Sequence, residues 1–329
     1  MRLIISAATI LTMLPLFTFA HVASQTAHQV KNVEVSKNAT DNTNKRKPNE
    51  HSPRRGKRKH TAITTKPLSL VSADRYLTET PVITIDIENN LRIIKSNDIP
   101  KHKVGAFPNR GNPHQIKPQN YHYQLPLQPK LSDEITPLVR GQFGIGVNGV
   151  IFEPGAAEYY LGIREGWRYE ALGGAVRLGL DENHAHVQPN GMYHYHGLPT
   201  GLLNNLNFHQ QKGSSIVGWA ADGFPIYALS IKKNNGEVKS YTSSYALKLG
   251  KRPAGKNEPG GTYDGTFVND YKYQAGLGSL DECNGTFVKT NDFPNGTYAY
   301  VLTNEWPVIP RCFKGKPNND FLKKGRRAR

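Results

Sequence analysis

Short apolar stretches that alternate with polar residues, turn signals about every dozen residues and scarce helical periodicity predict an all-β fold. The expected architecture is a single sandwich- or barrel-like domain of antiparallel strands, with long Gly/Pro-rich loops and few short helices. The 31 glycines and 22 prolines supply the punctuation that such a chain needs.

Thr80 to Glu88 (TPVITIDIE) alternates cleanly and reads as a half-exposed strand. Asn89-Asn90 turns the chain into a second strand, Leu91 to Ile94. Gly144 to Phe152 is strand-like, with glycines where a bulge or a close backbone approach is expected. Ser215 to Tyr227 reads as two strands around an Asp222-Gly223 turn, and Thr297 to Thr303 as another strand. Glu158 to Ile163 and the stretch near Leu202 are the short helical candidates.

The densest chemistry lies between Asn183 and Gly197, where His184/His186 and His194/His196 flank Pro189-Asn190-Gly191. Side chains alternate faces along a strand, so each His-x-His pair shares one face. Whether both pairs share the same face depends on the loop. A three-residue loop, a type I turn closed by a left-handed glycine, suits Pro-Asn-Gly. It pairs Gln188 with Met192, sets His186 against His194 and His184 against His196, and crowds four imidazoles on one patch. A two- or four-residue loop separates the pairs. Clustered neutral imidazoles point to a transition metal, zinc or copper. The competing interpretation is a polar network with Tyr, Asn183 or Asp181. The Pro-Asn-Gly-x-Tyr-x-Tyr pattern recurs at Pro294 to Tyr300, with Ala299 where His194 stands, and Tyr121 to Gln124 is a fainter echo.

Met1-Arg2 followed by an apolar run to Ala20 has the form of a secretory signal. The mature protein is therefore expected in a secreted or periplasmic location, with no transmembrane segment. Cys283 and Cys312, the only cysteines, are expected to form one disulfide in that oxidising setting, contributing roughly 3 kcal/mol. The net charge of +16 resides in the tails. Residues 21–66 carry 11 basic and 3 acidic side chains and residues 314–329 carry 7 and 1, whereas residues 67–313 carry 23 and 22. Residues 1–20 are thus read as signal peptide, 21–75 as a basic disordered segment, 76–313 as the β domain and 314–329 as a basic tail. Such tails suit an anionic cell-surface polymer or lipid and give no reason to expect a specific nucleic acid.

Further site candidates are Asp181 and Glu182 beside the histidines, as ligand or general base, and Asp222, as an acceptor that orients an imidazole. His209 is a possible additional ligand. Glu153 precedes Pro154-Gly155 where a loop carboxylate can face a pocket, and His102 and His114 lie in a Pro/Asn-rich region. No Gly-x-Ser-x-Gly elbow and no dinucleotide-binding glycine fingerprint occurs.

Tyr193-His-Tyr-His196, preceded by Asn183-His and followed by Gly197-Leu-Pro199, resembles the signature of the YHYH-domain family. Asp222 to Tyr227 and Leu280 to Gly285, leading to Arg311-Cys312, carry the same likeness, which spans roughly residues 80–315. The resemblance implies an exported protein and leaves activity open. From the residues, the expected function is an exported protein holding zinc or copper in the His hairpin, as a metal-dependent hydrolase or lyase or a copper redox enzyme. The alternative is a metal carrier, or a binding or adhesion module with polyanion-gripping tails.

Overall fold

The computed structural model describes residues 60–321. The signal segment 1–20 and the basic runs at 45–59 and 323–329 lie outside the described residues.

Strands dominate the described residues, as expected. In chain order they are β1 (Ile83–Glu88), β2 (Leu91–Ser96), β3 (Tyr121–Pro126), β4 (Leu131–Pro137), β5 (Gly144–Gly146), β6 (Ile151–Phe152), β7 (Ala185–Val187), β8 (Tyr193–Tyr195) and β9 (Gly218–Ala220). They continue as β10 (Pro225–Ala228), β11 (Ser230–Lys232), β12 (Val238–Ser240), β13 (Tyr245–Leu247), β14 (Tyr271–Tyr273), β15 (Gly285–Val288), β16 (Thr297–Leu302) and β17 (Cys312–Gly315). The α-helix α1 spans Thr200–Asn205, near Leu202 as expected. Glu158 to Ile163 forms turns instead, because Leu161 and Gly162 adopt positive φ, which no α-helix accommodates.

The sheets do not close into a barrel. Eight strands form one sheet in the order β15-β16-β10-β9-β5-β6-β8-β7. Its pairings are mixed: β6 with β8 and β10 with β16 run parallel, the rest antiparallel. A three-stranded sheet β1-β2-β3 and three two-stranded sheets complete the fold.

The eight-stranded order is palindromic, and it relates two four-stranded halves across the β5–β9 pair. Gly144 faces Ala220, Ile145 faces Trp219 and Gly146 faces Gly218. The turns agree bond for bond. Gly146 N–H donates to Val150 O and Ala220 N–H to Phe224 O, while Asn148 Oδ1 and Asp222 Oδ1 accept from Val150 and Phe224. On the outer strands Ala185 pairs with Tyr195 as Gly285 pairs with Tyr300, and His186 with His194 as Thr286 with Ala299. The recurring Pro-Asn-Gly-x-Tyr-x-Tyr is thus the visible part of a structural duplication.

The main core is assembled between these sheets from Ile94, Tyr123, Phe143, Ile145, Phe152, Tyr193, Tyr195, Ile226, Tyr300 and Phe313, all buried. Cys283 and Cys312 are bonded, which ties the approach to β15 to β17.

Both tail boundaries lie further out than expected. Residues 60–75 are docked: Val71 bridges to Asp181, Arg75 to Val104, and Tyr169 OH donates to the Ala62 carbonyl. At the other end Phe321, 1% exposed, stacks on Tyr123 with ring centroids 4.0 Å apart. Apolar and backbone contacts therefore extend the folded body into segments whose charge suggested solvated tails.

Candidate metal centre

The loop 189–191 is the three-residue type. Gln188 N–H donates to Met192 O, Gly191 N–H to Gln188 O, and Gly191 takes φ +93°, a conformation natural to glycine. The register follows: His186 lies opposite His194.

On one face of β8, Tyr193 and Tyr195 are fully buried. Tyr193 OH donates to Asp181 Oδ2 at 2.7 Å, and Asn183 Nδ2 donates to Tyr193 OH at 3.1 Å. His102 Nδ1 donates to the Lys103 carbonyl, which leaves Nε2 to accept from Tyr195 OH at 2.6 Å; Asn148 Nδ2 donates to the same hydroxyl. Burial lowers the His102 pKa, so the ring stays neutral, and it pushes both tyrosines well up.

On the other face the imidazoles of His186, His194 and His196 form a triangle with every pair of ring centroids 4.7 Å apart. One nitrogen from each lies within 4.8 Å of the others. His186 Nδ1 donates to the Leu178 carbonyl at 2.9 Å, which leaves Nε2 as its lone pair. His194 Nδ1 turns to the Met192 carbonyl at 3.4 Å, and its Nε2 lies 3.0 Å from His196 Nε2. Two imidazole nitrogens at that distance need a proton or a cation between them. A shared proton obliges one ring to expose a bare second nitrogen, and His196 Nδ1 is buried without a hydrogen bond of normal geometry. A cation lets both Nε2 atoms ligate while each Nδ1 keeps its proton, turned to the Met192 carbonyl in His194 and to the Pro154 carbonyl in His196. Burial lowers His186 to about 4, and burial followed by repulsion from His186 lowers His196 well below its usual range. Neutral imidazole is the form that ligates metals.

Zinc–nitrogen distances of about 2.0–2.1 Å at tetrahedral angles imply ligand atoms about 3.4 Å apart. The separations here, from 3.0 Å to at most 4.8 Å, bracket that spacing, so the three residues fit zinc or copper.

The triangle lies in the wall of a cleft of about 390 Å³. Glu153, 4% exposed and accepting from Gln188 Nε2 at 3.2 Å, lines it too, as does His114. The sequence signal for Glu153 was its place between an apolar strand and Pro154-Gly155.

The other candidates are placed elsewhere. His184 stands apart from the triangle. It adopts φ +53°, closes a turn on Asp181 and donates from Nδ1 to the Leu198 carbonyl, so the His-x-His alternation is broken one residue before β7. Asp181 accepts from Tyr193 OH, Gly105 N–H and Asn183 N–H on the tyrosine face, where it braces the turn. Glu182 is exposed and accepts from Ala73 N–H. Asp222 is the counterpart of Asn148: it accepts from Tyr300 OH at 2.5 Å and Gly315 N–H at 3.0 Å, and burial raises it to about 6. It belongs to the second half of the sheet, away from the imidazoles. His209 is exposed after α1. His102 serves Tyr195, as described.

A family described as "YHYH protein" matches residues 122–315, more than half of the chain. No curated protein and no solved structure matches it.

Proposed function

The chain belongs to the YHYH protein family, and we propose that it is an exported metal-binding protein. In this reading His186, His194 and His196 hold one zinc or copper ion. The convergence of three imidazole nitrogens in the wall of a cleft carries the reading. Three protein ligands beside a cleft are the pattern of a catalytic site, whereas structural zinc takes four. Zinc would supply Lewis-acid and water-activating chemistry, and copper would supply redox chemistry.

The chain's own groups have defined tasks. The Leu178 carbonyl fixes the tautomer of His186. Glu153 is the carboxylate placed in the cleft to hold or move a proton, and Gln188 orients it. These features support a hydrolase or lyase if the ion is zinc, and an oxidoreductase if it is copper. Export is supported by the N-terminal apolar run and by the Cys283–Cys312 disulfide. The basic tails suit an anionic surface polymer or lipid.

The test is metal content by mass spectrometry on the full chain purified without a His-tag, beside His194→Ala/His196→Ala. About one zinc or copper per chain, absent from the double variant, is expected. No metal after reloading with both ions, or equal occupancy in the variant, overturns the reading.

A further inference from the structure

The cleft that holds the imidazoles is also lined by Arg140, Arg164, Arg168 and Arg177, against which it sets only Glu153 and Glu158. Among the described residues none of the four guanidinium groups has a carboxylate within 4.0 Å, although ion pairs form elsewhere, as between Arg311 and Glu170 at 2.8 Å. Arg140, Arg164 and Arg177 are exposed, so the lining presents them to solvent without consuming them in the fold.

Two of these charges are held together deliberately. The guanidinium carbons of Arg140 and Arg168 lie 6.0 and 5.8 Å from the centroid of the same ring, Tyr159. The ring face attracts each cation and collects like charges that repel one another. Arg168 is anchored by backbone carbonyls, Nε to Ala156 O at 2.7 Å and Nη1 to Val139 O at 2.6 Å, which fix its direction without neutralising it. Gly155 makes room for it: a Cβ there would come within 2.0 Å of Arg168 Nη2. With four cations and two carboxylates, the lining is two elementary charges short of neutrality before any metal is counted.

We infer that this cleft takes a dianionic oxyanion, a phosphoryl group as in a phosphate monoester, with Arg140, Arg164 and Arg177 as its recognising cations. Guanidinium forks match the tetrahedral oxygens of phosphate, and several such donors from separate segments suit a ligand with three or more oxygens rather than a lone carboxylate. The inference deepens the metal-site reading and rests on its assignment of this cleft as the site.

The experiment titrates inorganic phosphate into the metal-loaded and the metal-free full chain by calorimetry, with sulfate and acetate as comparators. The variant is Arg140→Ala/Arg164→Ala/Arg177→Ala; its fold is checked by thermal melting and its metal content by mass spectrometry. The expected result is phosphate binding that weakens at least tenfold in the triple variant while metal occupancy is unchanged, with acetate binding at least tenfold more weakly than phosphate in the wild type. The variant keeps both basic tails, so phosphate affinity equal to wild type assigns the binding to the tails and overturns the inference. Metal-loaded protein that gives no phosphate heat overturns the inference and leaves the metal reading standing. Protein that takes up no metal overturns the metal reading, and Arg-dependent phosphate binding by the metal-free cleft then supports the oxyanion assignment alone.

Discussion

The two halves of the eight-stranded sheet carry the same backbone with opposite contents. On β7, β8 and the residue that follows β8, the positions facing away from the tyrosines are His186, His194 and His196, in the wall of a cleft. On β15 and β16 the matching positions are Thr286, Ala299 and Val301. The latter two are fully buried, in a cluster with Tyr227, Ile231, Tyr241 and Val288. The tyrosine face is retained in both: Tyr193 on Asp181 corresponds to Tyr298 on Asp281, and Tyr195 on Asn148 to Tyr300 on Asp222. The hydroxyl network therefore builds the scaffold, and what covers the opposite face decides whether a half packs or binds.

Reciprocal substitution tests this most severely. Ala299→His forces a polar ring into a site that is 0% exposed and should cost at least about 3 kcal/mol in urea unfolding. His194→Ala, the reverse change, should cost the metal-free protein less, about 1–2 kcal/mol, because the space it leaves adjoins the cleft. Equal costs would end the contrast between a packed and a binding face.

Removing the matched hydroxyls should separate the scaffolds by less. Tyr300→Phe withdraws a donor from buried Asp222 and an acceptor from Lys314 N–H, and should cost about 2–3 kcal/mol. Tyr195→Phe strands only neutral partners, His102 and Asn148, and should cost about 1–2 kcal/mol. A larger loss at Tyr195 would show that the imidazole half depends more on its network.

The smallest effect is the share of the pH dependence that His102 contributes from the first half. The folded pKa of His102 is lowered from an ordinary value near 6.5, chiefly by burial. Its contribution is present above 6.5 and is lost as pH falls through the folded value, because the unfolded chain takes up the proton first. The urea midpoint should therefore drop between pH 7 and 5, and His102→Gln should flatten that drop relative to wild type. Parallel profiles would remove His102 from the account.

Much of the first hairpin was legible locally. Pro189-Asn190-Gly191 selects the loop, the loop sets the register, and the register brings His186 to His194. His184 was misplaced because a left-handed residue shifts no composition signal, yet a clue was present. Leu180-Asp-Glu-Asn-His184 parallels Leu280-Asp-Glu-Cys-Asn284, and Asn284, a residue tolerant of that region, takes φ +54° against +53° at His184. Asp222 showed its turn but not its bond to Tyr300, 78 residues away. The arginine lining was illegible, since Arg140, Arg164 and Arg177 meet only through tertiary folding.

The duplicated halves also differ in what they carry between their inner and outer hairpins. Residues 153–184 separate β6 from β7 and supply most of the cleft's arginines and both of its glutamates; residues 229–284 separate β10 from β15 and hold β11 to β14. Closing a loop costs entropy only with the logarithm of its length, so 56 residues in place of 32 add about 0.5 kcal/mol. Each half is a frame into which long inserts can be spliced at small thermodynamic cost. New chemistry can thus accumulate in the connections while the strands and their tyrosines stay as they are.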